Sequence, residues 1–180
     1  LLLNEFKDNA ENDENTSADF IGFKKNLKLD NINFHYSNTE NIFENLNFEI
    51  HFGTKIGIVG ESGSGKSTLI NIICGFLNPQ EGKIFVDDTL FSKNYLLSWQ
   101  EKISLVEQDA FLFNDSIKNN IALITNDEVI DESRLINSIK LAQLESFIKR
   151  LPQGIDSTID QDSINLSGGE KQRLCIARAL

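Results

Sequence analysis

The sequence predicts an α/β fold: antiparallel strands first, then a short buried strand of the parallel kind, then a long helical stretch. Three observations predict it. Apolar residues alternate with a period of two over Leu27–Tyr36 and again over Leu46–Phe52, the pattern of strands buried on one face. Ile56-Gly57-Ile58-Val59 is a continuous apolar run leading into a glycine-rich turn, as strands covered on both faces do. From Ser116 to about Arg150 the apolar residues recur at helical spacing instead.

In chain order, residues 1–24 are polar, Asn-rich and acidic, with six acids against Lys7 in the first 19 positions. That composition suits a linker, which cannot bury enough surface to fold alone. Leu27 and Leu29 share one face of the first strand. Ile32, Phe34 and Tyr36 share a face after a one-residue shift at Asp30-Asn31, which points to a bulge. Leu46, Phe48, Ile50 and Phe52 form the neighbouring antiparallel strand, and Gly53 ends it. Lys66 to Cys74 continue the glycine turn as a helix that Gly75 terminates. Asn78 to Gly82 is a turn, Lys83 to Val86 a strand and Ile103 to Val106 another. Ser116 and Asp131 are placed to cap helices. Leu135, Ile139 and Ala142 share one helical face, and Leu144, Phe147 and Ile148 another. Pro152 and Gly154 break that region, and Ser167 caps a final helix.

Bulk properties narrow the classes. A chain of 180 residues with 40% hydrophobic content buries one ordinary core, so one principal domain is expected. A net charge of −10 argues against a broad basic surface held on nucleic acid, and no nucleic-acid partner is expected. Cys74 and Cys175 lie on separate expected helices. They read as small buried hydrophobes of a reducing compartment, too few for a zinc site. No apolar run reaches the roughly 18–20 residues that span a bilayer. The chain has no Met, starts at Leu1 and stops inside an expected helix, so it reads as a piece of a longer protein. His35 and His51 lie on expected strands and take no role.

The first motif is Gly60-Glu61-Ser62-Gly63-Ser64-Gly65-Lys66-Ser67-Thr68, which matches the phosphate-loop pattern G-x-x-x-x-G-K-[ST]. Its glycines let the backbone curl so that N–H groups along Ser62, Gly63, Ser64 and Gly65 turn inward on phosphate oxygens. The helix that follows adds its positive end. Lys66 places a point charge on the outer phosphates, and the Ser67 hydroxyl is set to ligate Mg²⁺. A chance glycine turn would lack the apolar strand before it and the helix after it.

The second motif is Leu166-Ser167-Gly168-Gly169-Glu170-Lys171-Gln172-Arg173. Ser167 and Glu170 have the spacing of an ordinary capping box. That alone leaves two glycines unexplained at helical positions, where each costs about 1 kcal/mol. Close approach of an anionic ligand to the Ser167 hydroxyl and the Gly168 and Gly169 N–H groups explains them.

Taken in this order, the two motifs resemble those of ABC-type ATPases, the second being that family's signature. The resemblance covers roughly residues 27–180 and is of the exporter type. It implies a P-loop NTPase fold with a mainly parallel core sheet, an antiparallel β subdomain and a helical insert. Residues 1–24 would link it to an upstream membrane domain, and residues 25–180 would be part of the nucleotide-binding domain. In the family, the phosphate loop of one domain and the signature of a partner enclose the same ATP. The implied partners are therefore a second nucleotide-binding domain, expected as a homodimer, and a fused transmembrane domain. The implied location is the cytoplasmic side of the plasma membrane.

By the same resemblance Gln108, after the Ile103–Val106 segment, is the Q-loop glutamine that reaches Mg²⁺ and the attacking water. Lys66, Gln108 and Ser167 would be the catalytic set, and Tyr36 the aromatic on which adenine stacks. The string around Gln108 is exporter-like, except that Glu107 stands where Pro is common. Glu170 stands where many members carry Gln. Thr158–Ser163 resembles the segment that touches the membrane domain, but Asp160, Gln161, Asp162 and Ser163 replace its usual Gly-Glu-x-Gly. The family's metal-binding Asp, catalytic Glu and switch His would fall beyond residue 180, so these residues alone are expected to be inactive. The similarity leans towards flippases of lipid-linked sugars. Two other classes share these motifs: soluble ABC ATPases acting on ribosomes or nucleic acid, and non-catalytic nucleotide-binding partners.

Overall fold

The structure is a computed structural model, and it describes residues 21–37, 40–107, 111–123, 130–159 and 166–180. The chain divides into two compact units, residues 1–103 and 104–180, each with its own core.

The first unit is built on a four-stranded antiparallel sheet: β1 (Asn26–Phe34), β2 (Phe43–His51), β3 (Glu81–Val86) and β4 (Thr89–Leu90), in the order β2-β1-β3-β4. The expected bulge is present. The β1–β2 register shifts between Leu29 and Ile32, and Asn31 has φ of 51°. The shift lets Leu27, Leu29, Ile32 and Phe34 all be buried despite their broken alternation. Gly82 of β3 lies against that bulge. A Cβ there would sit 2.5 Å from the Asn31 carbonyl oxygen, and φ is 98°, so only glycine fits. Glu81 and Gly82, expected in a turn, therefore belong to β3.

Helix α1 (Lys66–Ile73) packs Leu69 and Ile72 on the sheet and stops at Gly75, whose φ is 74°. Trp99 of the short helix α2 (Leu96–Gln100) completes this core, and its indole N–H donates to the Ile73 carbonyl at 2.8 Å. Residues 21–24, counted with the expected linker, pack on this unit. Ile21 is buried, and the Asp87 carboxylate accepts backbone N–H bonds from Lys24, Lys25 and Asn26 at 2.5, 2.7 and 3.0 Å. Burial alone would raise the Asp87 carboxyl; the three donors outweigh it and hold it below the usual range.

The second unit is helical: α3 (Ile117–Ala122), α4 (Glu132–Leu141), α5 (Glu145–Ile148) and α6 (Gly168–Ala179). Its caps fall where expected. Ser116 Oγ accepts from Asn119 N–H, and an Asp131 carboxylate oxygen from Arg134 N–H. Leu135, Ile139, Ala142, Leu144, Phe147 and Ile148 form the core with Ile117, Ile121 and Leu174. Cys74 and Cys175 are both buried and free.

One expectation is corrected. Ile56–Val59 and Ile103–Val106 form no strand among the described residues, and Val59 is 96% exposed. An apolar run becomes a strand only when neighbours take up its N–H and C=O groups. No described strand pairs with either run. No described helix is long and apolar enough to cross a membrane.

Candidate functional site

The phosphate loop connects residues 56–59 to α1, and its conformation is set by glycine. Gly63 and Gly65 take φ of 83° and 86°. Gly65 also lies where a Cβ would come within 2.7 Å of Ile42 Cγ2 and 3.0 Å of the Phe43 ring. It is the N-cap of α1, and no side chain caps the helix. The first N–H groups of α1 are thus left without the side-chain acceptor that most helices supply. Lys66 folds back over the loop, donating from Nζ to the carbonyls of Gly60 at 2.9 Å and Glu61 at 2.5 Å. A cation resting on loop carbonyls can exchange them for other oxygen acceptors. Ser62 and Ser64 are exposed along the loop, and Ser67 is exposed at the start of α1.

Tyr36, just past the end of β1, comes to this loop by a contact that the sequence did not indicate. Its hydroxyl lies 3.2 Å from Thr68 Oγ1. Thr68 is buried, while Tyr36 keeps 43% of its surface exposed. The ring stands edge-on to Phe34, with centroids 5.1 Å apart. A half-open ring fixed at its tip and edge is a platform for a planar base. Thirty-two residues separate Tyr36 from Thr68, so no spacing rule would have paired them.

The signature lies in the second unit and forms a complete capping box. Ser167 Oγ accepts the Glu170 N–H at 3.3 Å, and Glu170 Oε2 accepts the Ser167 N–H at 2.9 Å. The Ser167 hydroxyl also donates to Glu170 Oε2 at 2.7 Å. Arg150 reaches Glu170 Oε1 at 3.0 Å. The Ser167 hydroxyl first, then its N–H, hold the Glu170 carboxyl below its ordinary range against burial, and the Arg150 and Arg173 charges add smaller effects. Gly168 and Gly169 are exposed, neither has positive φ, and a Cβ on Gly168 would meet nothing within 4 Å. Neither backbone strain nor packing among the described residues requires glycine there.

Gln108 lies outside the described residues, as do Asp160, Gln161, Asp162 and Ser163. The structure brings Tyr36 to the phosphate loop. The phosphate loop and the signature belong to different units.

A family model described as ABC transporter matches residues 43–180. The chain belongs to the ABC transporter family. It is 41% identical over 172 residues to a putative ABC transporter ATP-binding protein of Mycoplasma genitalium, a match covering 96% of this chain and 29% of that protein. It is 40% identical over 159 residues to the ATP-dependent lipid A-core flippase of Shewanella oneidensis, covering 87% of this chain and 26% of the flippase. Among solved structures it is similar to a bacterial Atm1-family ABC exporter with ATP bound, with a TM-score of 0.81 and 34% identity. That match covers 97% of this chain and 31% of the exporter chain. The fold is thus that of an ABC ATPase, and the chain spans between a quarter and a third of the length of these relatives.

Proposed function

We propose that this chain forms part of the nucleotide-binding domain of an ABC exporter, where it binds Mg-ATP. Paired with a second such domain, it uses hydrolysis to move a substrate across a membrane or between its leaflets. The observation that carries the reading is the phosphate loop: an uncapped helix N-terminus, two glycines at positive φ, and Lys66 poised on the loop carbonyls. The likeness to relatives named as exporters and flippases supports transport over a soluble ATPase role. The lipid A-core flippases among them favour a lipid-linked glycan as substrate.

In this reading Tyr36 carries adenine, and the loop N–H groups with Lys66 and Thr68 hold the phosphates. Ser167, Gly168 and Gly169 face the nucleotide of the partner domain. Mg²⁺ fits the exposed Ser67 hydroxyl, with Gln108 as its second protein ligand, and its charge offsets that of the phosphates. Donors fixed in advance around the γ-phosphate are the main source of rate in phosphoryl transfer. In the complete domain Ile56–Val59 and Ile103–Val106 would pair as strands of a parallel core sheet, and the exposed Ile56 and Val59 side chains support that. The domain would lie on the cytoplasmic side of the membrane, fused to a transmembrane domain and dimerised with its like.

Lys66→Ala in the full-length protein tests the reading. It should lower ATP turnover by on the order of a hundredfold or more, because the cation that rests on the loop carbonyls is lost. An unchanged ATPase rate would remove the phosphate-loop assignment.

A further inference from the structure

Within the second unit, Asn120 and Arg178 form a polar cluster for which the two nucleotide motifs have no use. Asn120 is 1% exposed, yet every polar atom of its amide is engaged. The two hydrogens of its Nδ2 are shared among the carbonyls of Phe113, Asp115 and Ser116, at 3.0, 3.2 and 3.0 Å, and its Oδ1 accepts the Phe113 N–H at 2.8 Å. The side chain thus adds to the isolated antiparallel bridge, Ser116 with Thr158, that ties this stretch to residues 157–159. Arg178, in the last turn of α6, closes the cluster from outside. Its Nε donates to the Asn120 carbonyl and its NH1 to the Phe111 carbonyl, both at 2.9 Å, and its NH2 reaches Asn120 Oδ1 at 3.3 Å. The guanidinium also lies 5.6 Å from the centre of the Phe113 ring.

Helix α6 therefore holds the signature at one end and this fork at the other. Arg178 lies eleven positions after Ser167 along the helix, a rigid span of about 16 Å. Leu174, Cys175 and Ala177 anchor the helix between them. The gripped segment begins at Phe111, three positions after Gln108 along the chain.

We infer that Arg178 and Asn120 are positioning residues that lock the 111–116 segment to the signature helix, so that this segment and the signature move as one piece when the nucleotide site closes. The inference rests on the nucleotide-binding reading above. It demands a planar fork, since an ammonium cannot span the Phe111 and Asn120 carbonyls together. Nucleotide affinity resides in the phosphate loop and should be left alone.

The test is Arg178→Lys and Arg178→Gln in the full-length protein, read by steady-state ATPase, thermal unfolding and hydrogen exchange. Both variants should lower kcat by about tenfold, leave the KM for ATP within about threefold, and speed exchange in peptides covering 111–120. A kcat within twofold of wild type, despite faster exchange there, would overturn the inference. So would parallel losses of kcat, affinity and melting temperature, which mean general damage. If neither variant folds, the wild type decides. A non-hydrolysable ATP analogue should change exchange at 111–120 and 167–173 together, and a change at 167–173 alone overturns the coupling. A wild type that binds no analogue, like its Lys66→Ala control, overturns the nucleotide reading and this inference with it.

Discussion

The α-helices that begin at Gly65 and at Ser167, one in each unit, both carry glycine at their start, and they are built in opposite ways. Helix α1 begins at Gly65 with no side-chain cap and a backbone that only glycine adopts without strain. Helix α6 begins at Ser167 with both halves of a capping box, and its glycines are at ordinary φ. The first start leaves N–H donors for something outside the protein to satisfy. In the second, the box takes up the Ser167 and Glu170 N–H groups and leaves those of Gly168 and Gly169 at a bare, open surface. That is the difference expected between a site that binds an anion on its own and a site that closes on an anion held elsewhere.

The sharpest way to break the comparison is to add one methyl group to each start. Gly65→Ala forces a side chain into positive φ and against Ile42 and Phe43, at a cost of about 2–4 kcal/mol. ATP binding should be lost or nearly so, as read by nucleotide titration of the full-length protein. Gly168→Ala meets open space and should leave that binding intact. Equal loss in the two variants would mean that the helix starts do the same work.

Ser167→Arg probes the second start more severely. It removes a cap worth about 1 kcal/mol and places a bulky cation on the bare surface. Turnover should fall by on the order of a hundredfold, with the Kd for ATP within about threefold, because the phosphate loop is untouched. An equal loss of binding would show that the signature serves its own chain's nucleotide.

Helix starts, caps and the bulge were legible in the sequence because they are local. Ser116, Asp131 and Ser167 each bond a backbone N–H three residues on, and the shift at Asp30-Asn31 shows in the order of four apolar residues. The phosphate loop is local in the same sense. What failed was non-local. Whether Ile56–Val59 is a strand depends on what lies beside it, and composition does not encode that. The Tyr36–Thr68 bond and the grip of Arg178 on Phe111, 67 residues away, depend on tertiary placement that no spacing announces. The sequence also placed Glu170 in a capping box without indicating that its carboxylate would accept a hydrogen bond from the Ser167 hydroxyl.

That carboxylate gives a pH test. The Glu170 carboxyl is lowered from its ordinary value of 4.5 in the folded chain. Its contribution to stability is therefore fully present above that value and is lost as pH falls through the lower folded value. Glu170→Gln keeps an acceptor for the box but cannot titrate. The gap in melting temperature between wild type and Glu170→Gln should be constant near neutrality and shift against the wild type below about pH 4.5. A gap that does not change with pH would mean that the box works without the charge.

The smallest effect belongs to the Tyr36 hydroxyl. Stacking needs only a ring, so Tyr36→Ala should weaken ATP binding more than Tyr36→Phe does. The bond to Thr68 adds a second expectation. A neutral hydrogen bond of this kind is worth about 0.5–1 kcal/mol net, so Tyr36→Phe should weaken ATP binding by about two- to fivefold. Tripolyphosphate, which has no base, separates the two ways the hydroxyl could act. If the hydroxyl serves to place the ring, binding of tripolyphosphate is the same in Tyr36→Phe and wild type, and only ATP suffers. If it serves to hold Thr68 in the loop, both ligands weaken alike, and the first helix start depends on a residue at the end of β1. The half-exposed ring, held at tip and edge, favours the first outcome. A Tyr36→Phe variant as weak as Tyr36→Ala would remove the stacking role altogether.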